Sequence, residues 1–202
     1  MKINMTKGKL LGKLRNYALA AALLTGCDGI YVDGKRVDNV NVEEERELEI
    51  VDGNKDSQPE TRRDYRTTDF SDDSDEVILA RMLYGEARNC SREEQIAVGY
   101  VALNRQARGR YGRTLRGVIL RPSQFSCFNR NDPNRNVIMN PDTRAFESFV
   151  ETARGILSRE YQDNTQCATH YFNPRSANPS WAQDMTRIGR INGSRHEFYR
   201  ED

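Results

Sequence analysis

The sequence predicts an α+β domain over residues 74–202, mainly helical in its first part and closing on a small C-terminal β-hairpin region. Three observations predict it. Apolar residues recur at helical spacing from Val77 to Leu157. Two capping-box pairs, Asp73 with Glu76 and Ser91 with Glu94, open the first two helices. After residue 168 the helical period ends, and turn signals separate short β-prone runs.

The elements follow in order. Val77, Ala80, Leu83, Tyr84 and Ala87 form the stripe of a first helix. Ile96, Ala97, Tyr100, Val101 and Leu103 form that of a second, with Gly109 just past its end. Thr114 to Leu120 is a short third helix stopped before Pro122. Residues 122–141 are rich in Asn, Asp, Pro and Arg and are expected to be a loop. A long amphipathic helix follows Pro141-Asp142, with Phe146, Phe149, Val150, Ala153, Ile156 and Leu157 on one face. Ala168 to Phe172 suits a strand, and Asn173-Pro174 and Asn178-Pro179 mark turns. Thr186–Ile191 and Arg195–Arg200 flank Asn192-Gly193-Ser194, a hairpin signal.

The sequence ahead of this domain has a different character. Residues 1–27 carry a net +5, with Lys2, Lys7, Lys9, Lys13 and Arg15 preceding a short apolar run from Tyr17 to Leu24. That run is shorter than a membrane span and suits the h-region of a signal peptide. It ends in Leu24-Thr25-Gly26-Cys27, which resembles a bacterial lipobox with Cys27 as the lipidated residue. The expected address is extracytoplasmic, with a membrane lipid anchor on the periplasmic face or the cell surface. Residues 28–73 follow as an acidic tether, with Glu43-Glu44-Glu45 and Asp72-Asp73 as like-charge clusters. Such a stretch buries too little apolar surface to offset its ordering entropy. Within it, Gly29 to Val32 or Leu48 to Val51 suits a short strand.

Charge divides the chain further. Residues 28–75 carry −9 and residues 76–202 carry +5, so a basic body faces an anionic partner. Arg105, Arg108, Arg110, Arg113, Arg116 and Arg121 make nucleic acid conceivable. An exported address argues against it and favours an anionic cell-wall polymer. Cys90, Cys127 and Cys167 remain beyond Cys27, and an exported protein sits where disulfides persist. One of the three is left over, and Cys127 with Cys167 is the expected bridge. The alternative of Cys90 or Cys127 as a nucleophile paired with a histidine is the minor one.

Gly-rich phosphate loops, GxSxG elbows, CxxC pairs and HExxH are all absent from the sequence. Glu86 closes an apolar helix within Tyr84-Gly85-Glu86-Ala87-Arg88. A carboxyl group among apolar side chains keeps its proton more readily, as a general acid for glycoside cleavage requires. Most glutamates at helix ends are merely solvated, so position alone is a weak signal. Gly85 is expected to let a sugar ring approach the backbone. His170, Tyr171, Phe172, Asn173, Asn178, Trp181, His196, Phe198 and Tyr199 form an aromatic and amide cluster suited to stacking on sugars and bonding their hydroxyls. A small β core accounts for some of them, Phe198 above all. His170 and His196 are the only two histidines, Glu86 is the residue that would complete a His₂Glu zinc set with them, and no metal or other cofactor is expected.

Taken together, the blocks resemble the SleB/CwlJ family of cell-wall hydrolases. Leu79-Ala80-Arg81-Met82-Leu83-Tyr84-Gly85-Glu86-Ala87-Arg88 resembles the opening motif and Ala97–Arg105 the second. Gly117-Val118-Ile119 with Gln124-Phe125-Ser126-Cys127 resembles the third. Ala168-Thr169-His170-Tyr171-Phe172 with Asn178-Pro179-Ser180-Trp181-Ala182 resembles the fourth, and His196-Glu197-Phe198-Tyr199 the last strand. Some relatives have His where Phe172 stands.

The resemblance implies a lysozyme-like catalytic domain over residues 74–202 and lytic transglycosylase activity on peptidoglycan. It makes Glu86 the catalytic acid/base. Gln124, Phe125, Tyr171, Asn178, Trp181, His196 and Tyr199 are the candidate substrate contacts. Asp184 and Glu197 are the possible second carboxylates. Two rival functions stay open: a zinc-dependent amidase or peptidase acting on peptide stems, and a non-catalytic lipoprotein that binds cell wall. An activating protein partner is not identified by the sequence.

Overall fold

The computed structural model describes residues 30–32, 35–37 and 63–202. The expected signal peptide, Cys27 and most of the expected tether lie outside the described residues. Ahead of the domain, β1 (Ile30–Val32) pairs antiparallel with β2 (Lys35–Val37), with Ile30 opposite Val37. No helix among the described residues is long and apolar enough to cross a membrane.

The domain is built around one buried helix. α1 (Asp75–Ala87) is buried on nearly every side from Val77 to Gly85, so the expected stripe is in fact a full circumference. Its N-cap is Ser74, whose hydroxyl accepts from the Val77 N–H. Asp73, expected to be the cap, instead binds Arg81. α2 (Arg92–Arg108) starts at Ser91, which accepts from the Glu94 N–H. It stops at Gly109 in the left-handed region, φ 71°, where a side chain would be strained. α3 (Leu115–Ile119) is capped by Thr114.

Residues 122–141 are not the open loop expected. They hold a 3₁₀ turn (Ser126–Phe128) and α4 (Pro133–Met139). Asp132 caps α4 by accepting from the Asn134 N–H, and Pro133 occupies a first-turn position where no N–H is needed. α5 (Thr143–Leu157) follows its cap Asp142 and packs along α1 through Phe146, Phe149, Val150 and Ala153.

The chain then forms one antiparallel sheet in the order β3–β5–β4. These are β3 (His170–Phe172), β4 (Thr186–Gly189) and β5 (Glu197–Arg200). The expected hairpin is β4–β5, with Asn192 and Gly193 at positive φ in its loop. β3 adds on the far side of β5, with Tyr171 opposite Phe198 and His170 opposite Tyr199. The α+β division of the sequence is therefore the observed one.

The folded body reaches back into the expected tether, because Tyr65 and Phe70 are core residues at 9% and 7% exposure. Tyr65 packs on Phe146 and Phe70 on Phe128. Isolated aromatics in an acidic segment carry no periodicity to reveal this. Most of the arginine run also bonds within the fold, although Arg108, Arg110, Arg113 and Arg121 remain exposed. Arg105 donates to the Thr169 and Gln124 carbonyls, and Arg116 to those of Phe70 and Asp73. Arg121 donates to the Arg110 and Tyr111 carbonyls, and Arg108 and Arg110 hold Glu201. Apart from Arg110, which meets the Glu201 carboxylate, these guanidinium groups donate to backbone carbonyls.

Candidate active site

α1 is hydrophobic until its last turn, and there it emerges from the core with Glu86 half-buried. The carbonyls left open at that end are met locally. Arg88 donates to the Tyr84 and Gly85 carbonyls, the Cys90 N–H to Ala87, and the Gln95 side chain to Ala87 and Cys90. The end of the helix is thereby fixed, and so is the Glu86 backbone.

Gly85 is a packing glycine rather than an open approach for a sugar, which corrects the expectation. A Cβ at Gly85 would lie 2.6 Å from both Cβ and Sγ of Cys127 and 3.1 Å from Ile138 Cγ2. The missing side chain lets the 3₁₀ turn sit directly on α1. That contact brings the Cys127 N–H to 3.3 Å from Glu86 Oε1. The other oxygen, Oε2, accepts from the Tyr171 hydroxyl at 3.1 Å. Burial, with the Glu86 carboxylate adding to it, holds the Tyr171 hydroxyl well above the ordinary tyrosine value. The same two causes push the Cys127 thiol far up. Both groups stay protonated, so both face Glu86 as neutral neighbours.

The expected Cys127–Cys167 bridge does not form. Cys127 is a free thiol, 1% exposed, held against Gly85 and Glu86. A thiol that is buried and fully protonated is also a poor nucleophile, which removes that reading for Cys127. Cys90 is free as well, and burial followed by Glu94 pushes it up to about 11.

Glu86 opens into a cleft of about 240 Å³. Arg88, Asn89 and Cys90 line it from the turn after α1, and Asn134 from the start of α4. Asn173 follows β3 at its edge, and Arg195 and His196 come from the loop before β5. Glu86 is the one carboxylate among these lining residues. Amides and guanidinium groups surround it, a set suited to hydroxyl, acetamido and anionic groups on a sugar.

His196 is placed by Glu94, which is 2% exposed. Glu94 Oε1 accepts from the backbone N–H groups of Arg195 and His196, both at 3.0 Å, and lies 2.7 Å from His196 Nδ1. The second capping box is therefore half-formed: Ser91 caps, but the Glu94 side chain turns away to hold the β4–β5 loop.

The sheet divides the predicted aromatic cluster between its two faces. Tyr171 and Phe198 are opposite each other and face α1, with the Tyr171 ring 5.0 Å from His196. His170, Phe172 and Tyr199 point the other way and pack with Trp181, whose ring centre is 4.9 Å from His170 and 5.6 Å from Phe172 and Tyr199. Among the candidate contacts, Tyr171 and His196 are thus beside Glu86, whereas Trp181 and Tyr199 lie across the sheet. Phe125 is 2% exposed beneath the Arg105 guanidinium, 5.0 Å from its ring, so it is core. Gln124 accepts from Arg105 through its carbonyl and side-chain oxygens. Asn178 is exposed outside the cleft lining. Arg88 and Asn89, directly after Glu86 in sequence, were not singled out as cleft residues, and neither were Asn134 and Arg195, because α4 and the hairpin loop reach the site only through the tertiary fold.

The His170, His196 and Glu86 zinc set is corrected by the same geometry, since β3 points His170 away from Glu86. The possible second carboxylates fare likewise. Asp184 is exposed in the 3₁₀ segment Ser180–Asp184, and Glu197 is paired with Arg187 at 3.0 Å on the far face.

Burial, with Arg105 adding to it, lowers His170 from the ordinary imidazole value of 6.5 to about 4. The folded protein then binds fewer protons than the unfolded chain between those values. Stability is expected to be level above about pH 6.5, to fall as pH drops toward about 4, and to stop falling below that. Thermal melts across this range check it: His170→Gln should flatten the slope, and an unchanged slope would refute the assignment.

A family model described as Cell Wall Hydrolase matches residues 89–199, a segment that begins just after Glu86 and Arg88. A spore cortex-lytic enzyme of Halalkalibacterium halodurans is 32% identical over 119 residues, covering 59% of this chain and 33% of that protein. The spore cortex-lytic enzyme of Bacillus subtilis is 31% identical over 114 residues, covering 56% and 34%. The chain thus spans about a third of the length of the curated relatives it matches. Among solved structures, the catalytic domain of the germination-specific lytic transglycosylase SleB from Bacillus anthracis is 27% identical. It covers 64% of this chain and 98% of that one, with a TM-score of 0.49. With more than half of its length matched by that family model, the chain belongs to the Cell Wall Hydrolase family.

Proposed function

We propose that this chain cuts the glycan strands of peptidoglycan as a lytic transglycosylase, in a lysozyme-like α+β domain with Glu86 as its single acid/base. The observation that carries this is the solitary carboxylate of the cleft. A hydrolysing glycosidase ordinarily uses two carboxylates. A transglycosylase needs one, because its nucleophile is a hydroxyl of the substrate.

Protonated Glu86 gives its proton to the glycosidic oxygen between N-acetylmuramic acid and N-acetylglucosamine, and the bond from muramyl C1 to that oxygen breaks. The muramyl C6 hydroxyl attacks C1 to close a 1,6-anhydro ring, and its proton returns to Glu86. The Cys127 N–H and the Tyr171 hydroxyl both donate to Glu86 and so stabilise the carboxylate that exists between the two transfers. Asn134, Asn173, Arg88 and Arg195 are the groups that would hold the acetamido and anionic substituents of the sugars.

Digestion of purified peptidoglycan is expected to create new sugar ends and no new free amino groups. New amino groups would instead reveal amide cleavage, the rival chemistry. The named relatives, two spore cortex-lytic enzymes, support a reading in which the cell wall is the substrate.

The address proposed is extracytoplasmic, with Cys27 carrying a lipid anchor. Membrane fractionation tests it: Cys27→Ser should move the protein from the membrane to the soluble extracytoplasmic fraction. An unchanged membrane fraction would reject the anchor.

A further inference from the structure

We propose that Cys90, Glu94 and His196 form a binding site for one zinc-class divalent cation, set in the wall of the Glu86 cleft. This is independent of the glycan-cutting reading, because none of the three residues takes part in the proton transfers assigned to Glu86.

The three side chains each offer a ligand atom, and these atoms lie within 4.8 Å of one another. They come from separate stretches of the chain. Cys90 is in the turn after α1, Glu94 is in the first turn of α2, and His196 precedes β5. One thiol, one imidazole and one carboxylate suit a borderline-soft ion such as Zn²⁺, whereas Ca²⁺ and Mg²⁺ demand oxygen ligands. Three protein ligands leave a fourth position. Cys90 and His196 also line the cleft, so that position opens toward its water.

Glu94 supplies a second, independent indication. A glutamate three residues after an N-cap serine ordinarily reaches back to the cap N–H. Here the side chain turns into the cluster and is almost fully buried, an uncommon place for a carboxylate. Its Oε1 is anchored by the backbone N–H groups of Arg195 and His196, the kind of outer support that orients a metal-binding carboxylate. Oε2 is then the oxygen to turn to a cation. Arg195 on the loop and Arg88 after α1 are the positive groups lining the same cleft, and both are exposed.

Binding balances as follows. The Cys90 thiol releases its proton to solvent and the thiolate binds. His196 binds through a ring nitrogen that carries no hydrogen, and the imidazole keeps its one N–H on the other. One proton is released per cation. The bound ion would tie the start of α2 to the β4–β5 loop and fix the wall that carries His196.

The test is titration of the purified full chain, stripped with chelator, with Zn²⁺ and with Co²⁺ as a spectroscopic stand-in. One equivalent is expected to bind. The Co²⁺ complex should show a thiolate charge-transfer band, and zinc should raise the melting temperature. Cys90→Ser, nearly isosteric, should keep the far-ultraviolet dichroism. It should lose the charge-transfer band and bind zinc at least about tenfold more weakly. Glu94→Gln should weaken binding likewise, and Ca²⁺ and Mg²⁺ should not compete. The proposal is overturned if the wild type takes up no stoichiometric zinc at micromolar concentration. It is equally overturned if Cys90→Ser binds as tightly as the wild type, or if the cobalt spectrum lacks the thiolate band.

Discussion

Glu86→Gln is expected to lower the rate of peptidoglycan cleavage by about 10²- to 10⁴-fold, the usual contribution of a positioned general acid and base. Glutamine keeps the shape of the side chain and an oxygen for the Cys127 N–H, but it carries no proton to give to a leaving oxygen. Far-ultraviolet dichroism and the melting temperature should stay close to the wild type, because Glu86 is half-buried and holds no ion pair with a described residue. Activity within a few fold of the wild type would instead favour a cell-wall-binding protein or chemistry centred elsewhere. The assay is release of soluble fragments from purified cell wall.

Arg81→Met is expected to have the largest effect on stability, about 3–5 kcal/mol. Arg81 is 1% exposed and lies between the Phe70 and Phe146 rings, 5.7 and 5.5 Å from their centres. Its guanidinium donates to both oxygens of Asp73, at 2.7 and 3.1 Å, and to the carbonyls of Tyr65 and Ile138. One side chain on the central helix thus holds the chain entering the domain and the end of α4. Methionine fills much of the space but strands a partly buried Asp73 and two carbonyls. A fall in melting temperature on the order of 10 °C would accord with this. Arg81→Lys should not restore it, since an ammonium group cannot span three partners in a plane. A melting temperature within a degree or two of the wild type would refute the role. The two substitutions separate the helix's tasks: Arg81 keeps α1 in place, and Glu86, one and a half turns on, uses that placement.

Much of this fold was legible because its decisive signals are local. Ser91 and Asp142 cap helices where their sequence positions indicated, Thr114 caps the helix it was expected to begin, and Gly109 ends α2 in the left-handed region. Each involves groups within a few residues of one another. What stayed hidden depended on distant parts of the chain. Asp132-Pro133 suits a turn and a helix start equally, and packing against α1 decides for α4. Gly85 has no local reason to be glycine; its reason is Cys127.

The site was readable to the same degree. Glu86 at the end of an apolar helix was a weak signal that the family resemblance raised, and Tyr171 and His196 lay within an aromatic cluster. Which aromatics face Glu86 is a matter of strand register, where a shift of one residue exchanges the faces. The observed pairing of Tyr171 with Phe198 puts Trp181 and Tyr199 across the sheet. The Cys90, Glu94 and His196 cluster could not be read from spacing, because His196 joins the other two only when the β4–β5 loop folds back onto α2.

The central claim, that Glu86 alone cuts the glycan strand, is tested most directly by mass spectrometry of purified peptidoglycan digested with the full chain, wild type beside Glu86→Gln. The account predicts 1,6-anhydro-muropeptides from the wild type and none from the variant. Reducing muramyl ends from the wild type, or equal products from both proteins, would contradict it.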